Sequence, residues 1–255
     1  MNFLSVSLTD IGISRSVNQD SICTKVIQED NQKASFSIVC DGMGGLSEGE
    51  VASLSVINNF CRWADNILPV LIKNGIDFNE LKEQWAKIIL KQNQYLAEYG
   101  AKKGIMLGTT LTVLLIFDGS YYGVHVGDSR IYEIKDGVQQ LTMDHTLVER
   151  DIRAGNITKE QARNDPRKNI LLQCVGASPS IEPEFLDGKA EENTVYMLCS
   201  DGFRHVISEE ELYENLNCTK LINEDVMKDR AEYLIELNKS RMEQDNISVV
   251  LVKTI

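Results

Sequence analysis

At 255 residues the chain is long enough to bury a real core, as one large domain or two small ones, and 43% hydrophobic with 25% charged residues is the composition of a globular protein. The formal charge of −12 at pH 7 argues against a broad basic face that grips a nucleic-acid backbone. No run approaches the ~18 apolar residues of a membrane span, and MNFLSVSLTDIG lacks the charged start and apolar core of a signal peptide, so the expectation is a cytoplasmic protein with no membrane partner.

Taken in chain order, the apolar runs DSICTKVI and SFSIVC read as strands. A helical pattern covers 47–65, opened by a capping box of Ser47 and Glu50, and a second covers 77–103. TTLTVLLIF, SYYGVHVG and RIYEIK follow as strands, the last ending on an Asp136-Gly137 hairpin turn. Asp144 to Ser180 is polar and only weakly helical, an excursion from the core of the kind that forms lids and flaps. NTVYMLCS is then a strand, 208–216 and 223–241 are helices, and NISVVLVKTI is the last strand.

Helices here come in pairs between groups of strands, which favours antiparallel sheets covered by helices over a doubly wound parallel sheet. No repeat, low-complexity tract or Pro/Gly/Ser linker divides the chain, so one domain over 1–255 is expected, with the excursion at about 144–180. Six cysteines are scattered without a C-x-x-C pair, and Cys40 and Cys199 sit inside strand-like runs; neither disulfides nor a zinc ribbon is expected.

The chemistry lies at the strand ends. SFSIVC runs into Asp41 and then a glycine loop, so any phosphate bound there would meet a negative charge unless a cation stood between them. Asp128 ends another strand, Asp201 a third, Asp20 begins one, and Asp245-Asn246 opens the last. If those tips converge, the carboxylates form a pocket that requires a cation. Oxygen ligands without a Cys/His cluster, in a chain with three histidines, suit Mg²⁺ or Mn²⁺ rather than zinc. A pair of such ions roughly 3.5–4 Å apart can bridge a water, lower its pKa and hold a phosphoryl group for in-line attack. Gly42 would let a backbone carbonyl reach a metal, and Gly44 and Gly45 would let the chain turn sharply. Neither the dinucleotide G-x-G-x-x-G nor a G-K-[ST] loop fits, since Ser47 stands at the third glycine.

RSVNQD, CDGMGG, GTT, VGDSR, SDG and DN occur in that order from Arg15 to Asn246, and this ordered set resembles the metal-dependent protein phosphatases of the 2C type (PPM) in their compact bacterial form. The resemblance implies an α+β fold, a four-layer αββα sandwich of two antiparallel sheets flanked by pairs of antiparallel helices, with two Mn²⁺ or Mg²⁺ ions at one edge. It implies that Asp41 bridges both metals, with the Gly42 carbonyl on one and Asp201 and Asp245 on the other. Gln19, Asp20 and Asn246 would support that shell, and Arg15 would grip the substrate phosphate, a task that suits a planar guanidinium. Asp128 matches a ligand of a third, weaker metal. Thr109 and Thr110 would hydrogen-bond behind the site.

Two positions depart from the pattern. Met43 stands where animal members carry a histidine that serves as general acid, and a thioether donates no proton. His205 stands where members often have an acid, so it either completes the third site with an imidazole or packs behind the loop. His125 reads as structural, and His145 of the Asp144-His145 pair as a brace for the excursion. The implied activity is hydrolysis of phosphoserine and phosphothreonine in proteins through a metal-bridging water. The alternative is a pseudophosphatase that only binds, and a metal nuclease is disfavoured by the missing basic stripe. Expected partners are phosphoproteins and a Ser/Thr kinase with its targets, no nucleic acid, and a monomeric state.

Overall fold

Residues 1–43 and 48–255 are described by a computed structural model. The elements run β1 (Phe3–Asp10), β2 (Asp20–Glu29), β3 (Gln32–Asp41), α1 (Gly49–Asn66), α2 (Leu68–Asn74), α3 (Phe78–Lys103), β4 (Leu111–Phe117), β5 (Ser120–Val126), β6 (Arg130–Ile134) and β7 (Val138–Gln140). They continue with α4 (Leu147–Arg153), α5 (Lys159–Arg163), β8 (Glu184–Lys189), β9 (Val195–Cys199), α6 (Asp201–Arg204), α7 (Glu209–Leu216), α8 (Glu224–Ser240) and β10 (Ile247–Thr254). Two five-stranded sheets result, ordered β1-β10-β9-β6-β7 and β2-β3-β4-β5-β8, with every pairing antiparallel.

Three apolar clusters define the layers. Phe36, Ile38, Phe60, Trp85 and Ile89 pack α1 to α3 against the second sheet. Met197, Phe203, Leu212, Leu234 and Leu251 pack α6 to α8 against the first. Val39, Leu114, Ile116, Leu198 and Val250 fill the space between the sheets. The order is therefore helix, sheet, sheet, helix. Strands in the middle are buried on both faces, which is why LTVLLIF reads as a mainly apolar run without period-two alternation.

Local signals explain most boundaries. Asp77 caps α3 by accepting from the Glu80 N–H at 2.9 Å, and Gly104 ends that helix at φ 67°. α1 begins at Gly49 with Glu48 at its N-cap, later than the Ser47–Glu50 box implies. Ser47, Gly44 and Gly45 lie outside the described residues, so the serine half of that box and the two turn glycines do too.

Two strands and four short helices go beyond the expected elements. β1 and β8 are half-exposed edge strands, and α2 is seven residues long with Pro69 in its first turn. Within the excursion, α4 and α5 are short helices capped by Thr146 and Thr158. Its return leg is pinned to the body: Asn93 on α3 accepts from the Gly176 N–H at 2.7 Å and donates to Ser178 O at 3.0 Å, while Thr109 and Val175 exchange backbone bonds.

Antiparallel pairing brings the acids to one edge. The end of β3 and the start of β2 coincide, with Asp41 opposite Asp20 in register. The end of β9 coincides with the start of β10, since Cys199 pairs with Val249. Asp128 lies between β5 and β6, where the chain crosses from one sheet to the other.

Candidate active site

Asp41 is held from behind. Its N–H donates to Thr110 Oγ1 at 2.9 Å, and its carbonyl accepts from the Thr110 N–H at 2.8 Å and from the Thr109 hydroxyl at 3.0 Å. The GTT threonines thus fix the backbone that carries the acid. Gly42 follows in close contact with two other segments: its N–H donates to Gln19 O at 3.1 Å, and a Cβ there would lie 2.3 Å from Gly49 O. No side chain fits.

Asp245 and Asn246 are locked to the loop before β2. The Asn246 amide donates to Ile11 O at 2.9 Å and Val17 O at 3.2 Å, while its oxygen accepts from the Gln19 N–H at 2.9 Å. Gly202 packs against the same turn, where a Cβ would lie 2.2 Å from Asn246 O. Gln19 also donates to Glu50 at 3.2 Å, tying the first turn of α1 to the site.

These carboxylates repel one another. Burial, followed by the charges of Asp20, Asp201, Asp128 and Asp245, pushes Asp41 well above the usual carboxylate range. Burial and the charge of Asp201 push Asp20 to about 7, against the pull of the nearby Ser248 and Ser200 hydroxyls. Burial and Asp201 likewise push Asp128 to about 7, with Arg204 and His205 pulling the other way. Among the described residues, Asp20 Oδ2 and Asp201 Oδ1 are buried oxygens that find no hydrogen-bond donor. Unmatched oxygens amid mutually repelling acids fit a site for hard divalent cations.

Arg15 is the cation built into this edge. It grips Asp245 with two bonds, Nε to Oδ1 at 3.0 Å and Nη2 to Oδ2 at 2.9 Å, and remains about one-third exposed. His205 faces Asp201 through Nε2 at 3.4 Å and Glu243 through Nδ1 at 3.5 Å. Burial pulls this imidazole down, but the Glu243 bond and the Asp201 charge hold it above its ordinary pKa. Glu243 had no signal in the sequence beyond lying two residues before Asp245. It earns its place by accepting from the Gln244 and Asp245 N–H groups at 2.8 and 3.0 Å, which shapes the turn into β10.

Behind Asp128 runs a second polar network. Arg204 donates to Asp128 O at 3.0 Å and lies 3.5 Å from Asp144, which Arg130 holds with two bonds of 2.7 Å. Burial opposes ionisation of Asp144, but the two guanidiniums hold its pKa below the ordinary value. The next residue, His145, lies beside His125 and Glu184, with one polar atom from each within 4.8 Å of the others. Three of the four ring nitrogens are committed, however. His125 meets Thr112 Oγ1 at 2.9 Å and Gly127 O at 3.0 Å, and His145 Nδ1 accepts from the Gly127 N–H at 3.2 Å and the Gln173 amide at 2.8 Å. The trio is a brace between the β5–β6 turn and the excursion, where a cavity of about 690 Å³ opens between Asp144, Arg150, Arg153, Gln173 and Glu182.

Known proteins match this chain over nearly its whole length. A family model described as protein phosphatase 2C matches residues 13–247. The protein phosphatase PhpP of Streptococcus pneumoniae is 33% identical over 249 residues, covering 96% of this chain and 95% of its own. The solved serine/threonine phosphatase of S. agalactiae superposes with a TM-score of 0.83 at 31% identity, covering 100% of both chains. The catalytic domain of the serine/threonine protein phosphatase PstP, solved in complex with two manganese ions, gives a TM-score of 0.77 at 28% identity over 99% of this chain and 98% of its own.

Proposed function

The chain belongs to the protein phosphatase 2C family and is a serine/threonine protein phosphatase, and on that premise we propose how its residues perform the reaction. Asp41, the Gly42 carbonyl, Asp201 and Asp245 would hold two Mn²⁺ or Mg²⁺ ions. The single observation that carries this reading is the pair of buried, donor-less oxygens, Asp20 Oδ2 and Asp201 Oδ1, inside a cluster of mutually repelling carboxylates. The manganese pair in PstP supports the same choice of ion. When bound, such ions place positive charge against phosphoryl oxygens and acidify water for in-line attack.

The chain's own residues do the rest. Arg15, exposed at the rim and planar, binds and orients the phosphate of a phosphoserine or phosphothreonine by sharing its guanidinium between that group and Asp245. Thr109, Thr110 and Asn246 hold the acids in place, and Gln19 and Asp20 complete the polar wall. Met43 gives the leaving oxygen no proton, so that proton comes from water. The excursion 144–180 acts as a flap on one domain spanning 1–255 and shapes access for phosphoproteins, including the targets of a Ser/Thr kinase. Asp128 and His205 form at most a weaker third site, since His205 is engaged with Asp201 and Glu243.

Calorimetric titration of metal-stripped protein with Mn²⁺ tests this reading alongside hydrolysis of p-nitrophenyl phosphate. The expected result is saturable Mn²⁺ binding that Asp41→Asn weakens strongly, and hydrolysis that EDTA abolishes. Hydrolysis that persists in EDTA would overturn it.

A further inference from the structure

Cys23 and Cys61 meet where β2 packs against α1. Two contacts fix the register on either side of them: Ser21 Oγ lies 2.9 Å from Ser53 Oγ, and Lys25 Nζ donates to Asp65 Oδ1 at 2.6 Å. Residues 21, 23 and 25 share one face of the strand, and Cys61 stands about one helical turn before Asp65. This register turns Cys23 and Cys61 toward each other between these contacts, and both pack against the same apolar cluster. Both are part-exposed at the rim of the core, whereas Cys40, Cys174 and Cys199 are buried.

The pair is asymmetric. The Cys61 thiol beside it brings Cys23 down to about 7, against the pull of burial and with help from Lys25. The same neighbour and burial raise Cys61. Cys23 is therefore the sulfur with more thiolate character.

We propose that Cys23 and Cys61 form a peroxide-reactive modification site, with Cys23 as the attacking sulfur and Cys61 as the resolving thiol. The Cys23 thiolate attacks one oxygen of hydrogen peroxide. The O–O bond breaks, hydroxide leaves, and Cys23 becomes a sulfenic acid, oxidised by two electrons. Cys61 then attacks that sulfur: the S–O bond breaks, its thiol proton leaves with the hydroxyl as water, and a disulfide closes. In sum, two thiols and one peroxide give a disulfide and two waters. The bond would clamp the strand that starts at Asp20 to the helix whose first turn holds Glu50 against Gln19.

The test is peptide mapping of the full chain after treatment with hydrogen peroxide, with a sulfenic-acid-specific dione as trap. Cleavage at Lys33 and Glu50 puts Cys23, Cys40 and Cys61 on separate peptides. Wild type is expected to lose both thiols to a Cys23–Cys61 cross-link that dithiothreitol reverses. Cys61→Ser should trap dione on Cys23, while Cys23→Ser should leave Cys61 without dione. Dione on Cys61 in Cys23→Ser, a cross-link to another cysteine, or intact thiols in wild type would each overturn the proposal.

Discussion

Two buried acidic regions, linked by Arg204, which reaches Asp128 and Asp144, solve the same problem in opposite ways. Asp144 sits between Arg130 and Arg204, and its pKa falls. Asp41 sits among Asp20, Asp128, Asp201 and Asp245, and its pKa rises. At Asp144 the chain supplies its own cations, so the acid is a structural anchor. Around Asp41 the chain supplies Arg15, bound to one acid at the rim, with Arg204 and His205 reaching Asp128 and Asp201, and leaves most of the negative charge to ions from solution. A buried carboxylate thus indicates structure or chemistry according to whether the protein has already neutralised it.

Matched substitutions should break this comparison most clearly. Asp41→Asn is expected to lower phosphatase activity by about 10²- to 10³-fold, the scale for removing a principal electrostatic group, yet to raise the melting temperature in chelator because it relieves repulsion. Asp144→Asn should do the reverse to stability, costing about 3 kcal/mol by leaving two buried guanidiniums without a full counter-charge. Melting curves in EDTA read both, and destabilisation of similar size in the two variants would erase the distinction.

A smaller effect probes the cation at the rim of the acidic edge. Arg15→Ala should raise KM for a phosphopeptide by about tenfold, equivalent to about 1.4 kcal/mol of lost binding, with a lesser fall in kcat. Arg15→Lys should recover little of it, because a point charge does not reproduce the fork that Asp245 and phosphate share. Steady-state kinetics on the two variants decide this, and an unchanged KM in the alanine variant would remove Arg15 from the phosphate site.

The most modest expected change comes from the brace behind Asp144. Burial holds His125 at about 3, whereas an unfolded histidine titrates near about 6.5. Between those values the unfolded chain binds a proton that the folded one refuses, so stability falls as pH drops, by up to about 1.4 kcal/mol per pH unit. His125→Gln keeps an amide in the strand but removes the titration, and its denaturation midpoint should fall less steeply from pH 6.5 to pH 5 than that of wild type, about 6.5 being the unfolded value. Parallel pH profiles would show that His125 does not set this slope.

How far the sequence revealed all this depended on what each residue's neighbours were. The long helices carried their own signals in apolar spacing and caps, and α3 spans nearly the range that Asp77 and Gly104 mark out. The middle strands were visible because burial on both faces demands mainly apolar runs, with only Ser35, Ser37 and Thr112 interrupting the buried stretches of β3 and β4. β1, β8 and α2 were not, since an edge strand alternates weakly and a seven-residue helix has too few turns to show a period. The acids at strand tips stood out as a pattern, and antiparallel registry explains why tips far apart in sequence share one edge. Glu243, Arg204 and the Cys23–Cys61 contact could not stand out in the same way, because each gains its meaning from a partner on a different element.

The place of β10 has a consequence for the order in which the protein can be made. It lies between β1 and β9, and β1 pairs with no other strand of its sheet. A chain emerging from the ribosome therefore exposes β1 before its partner and cannot pair it within this sheet until β10, the last of the described strands, has arrived. Asp245 enters with that last strand, so the acidic edge is completed only as the first sheet closes. Until then the nascent chain presents an open strand to its surroundings, the condition under which edge pairing between neighbouring chains competes with folding.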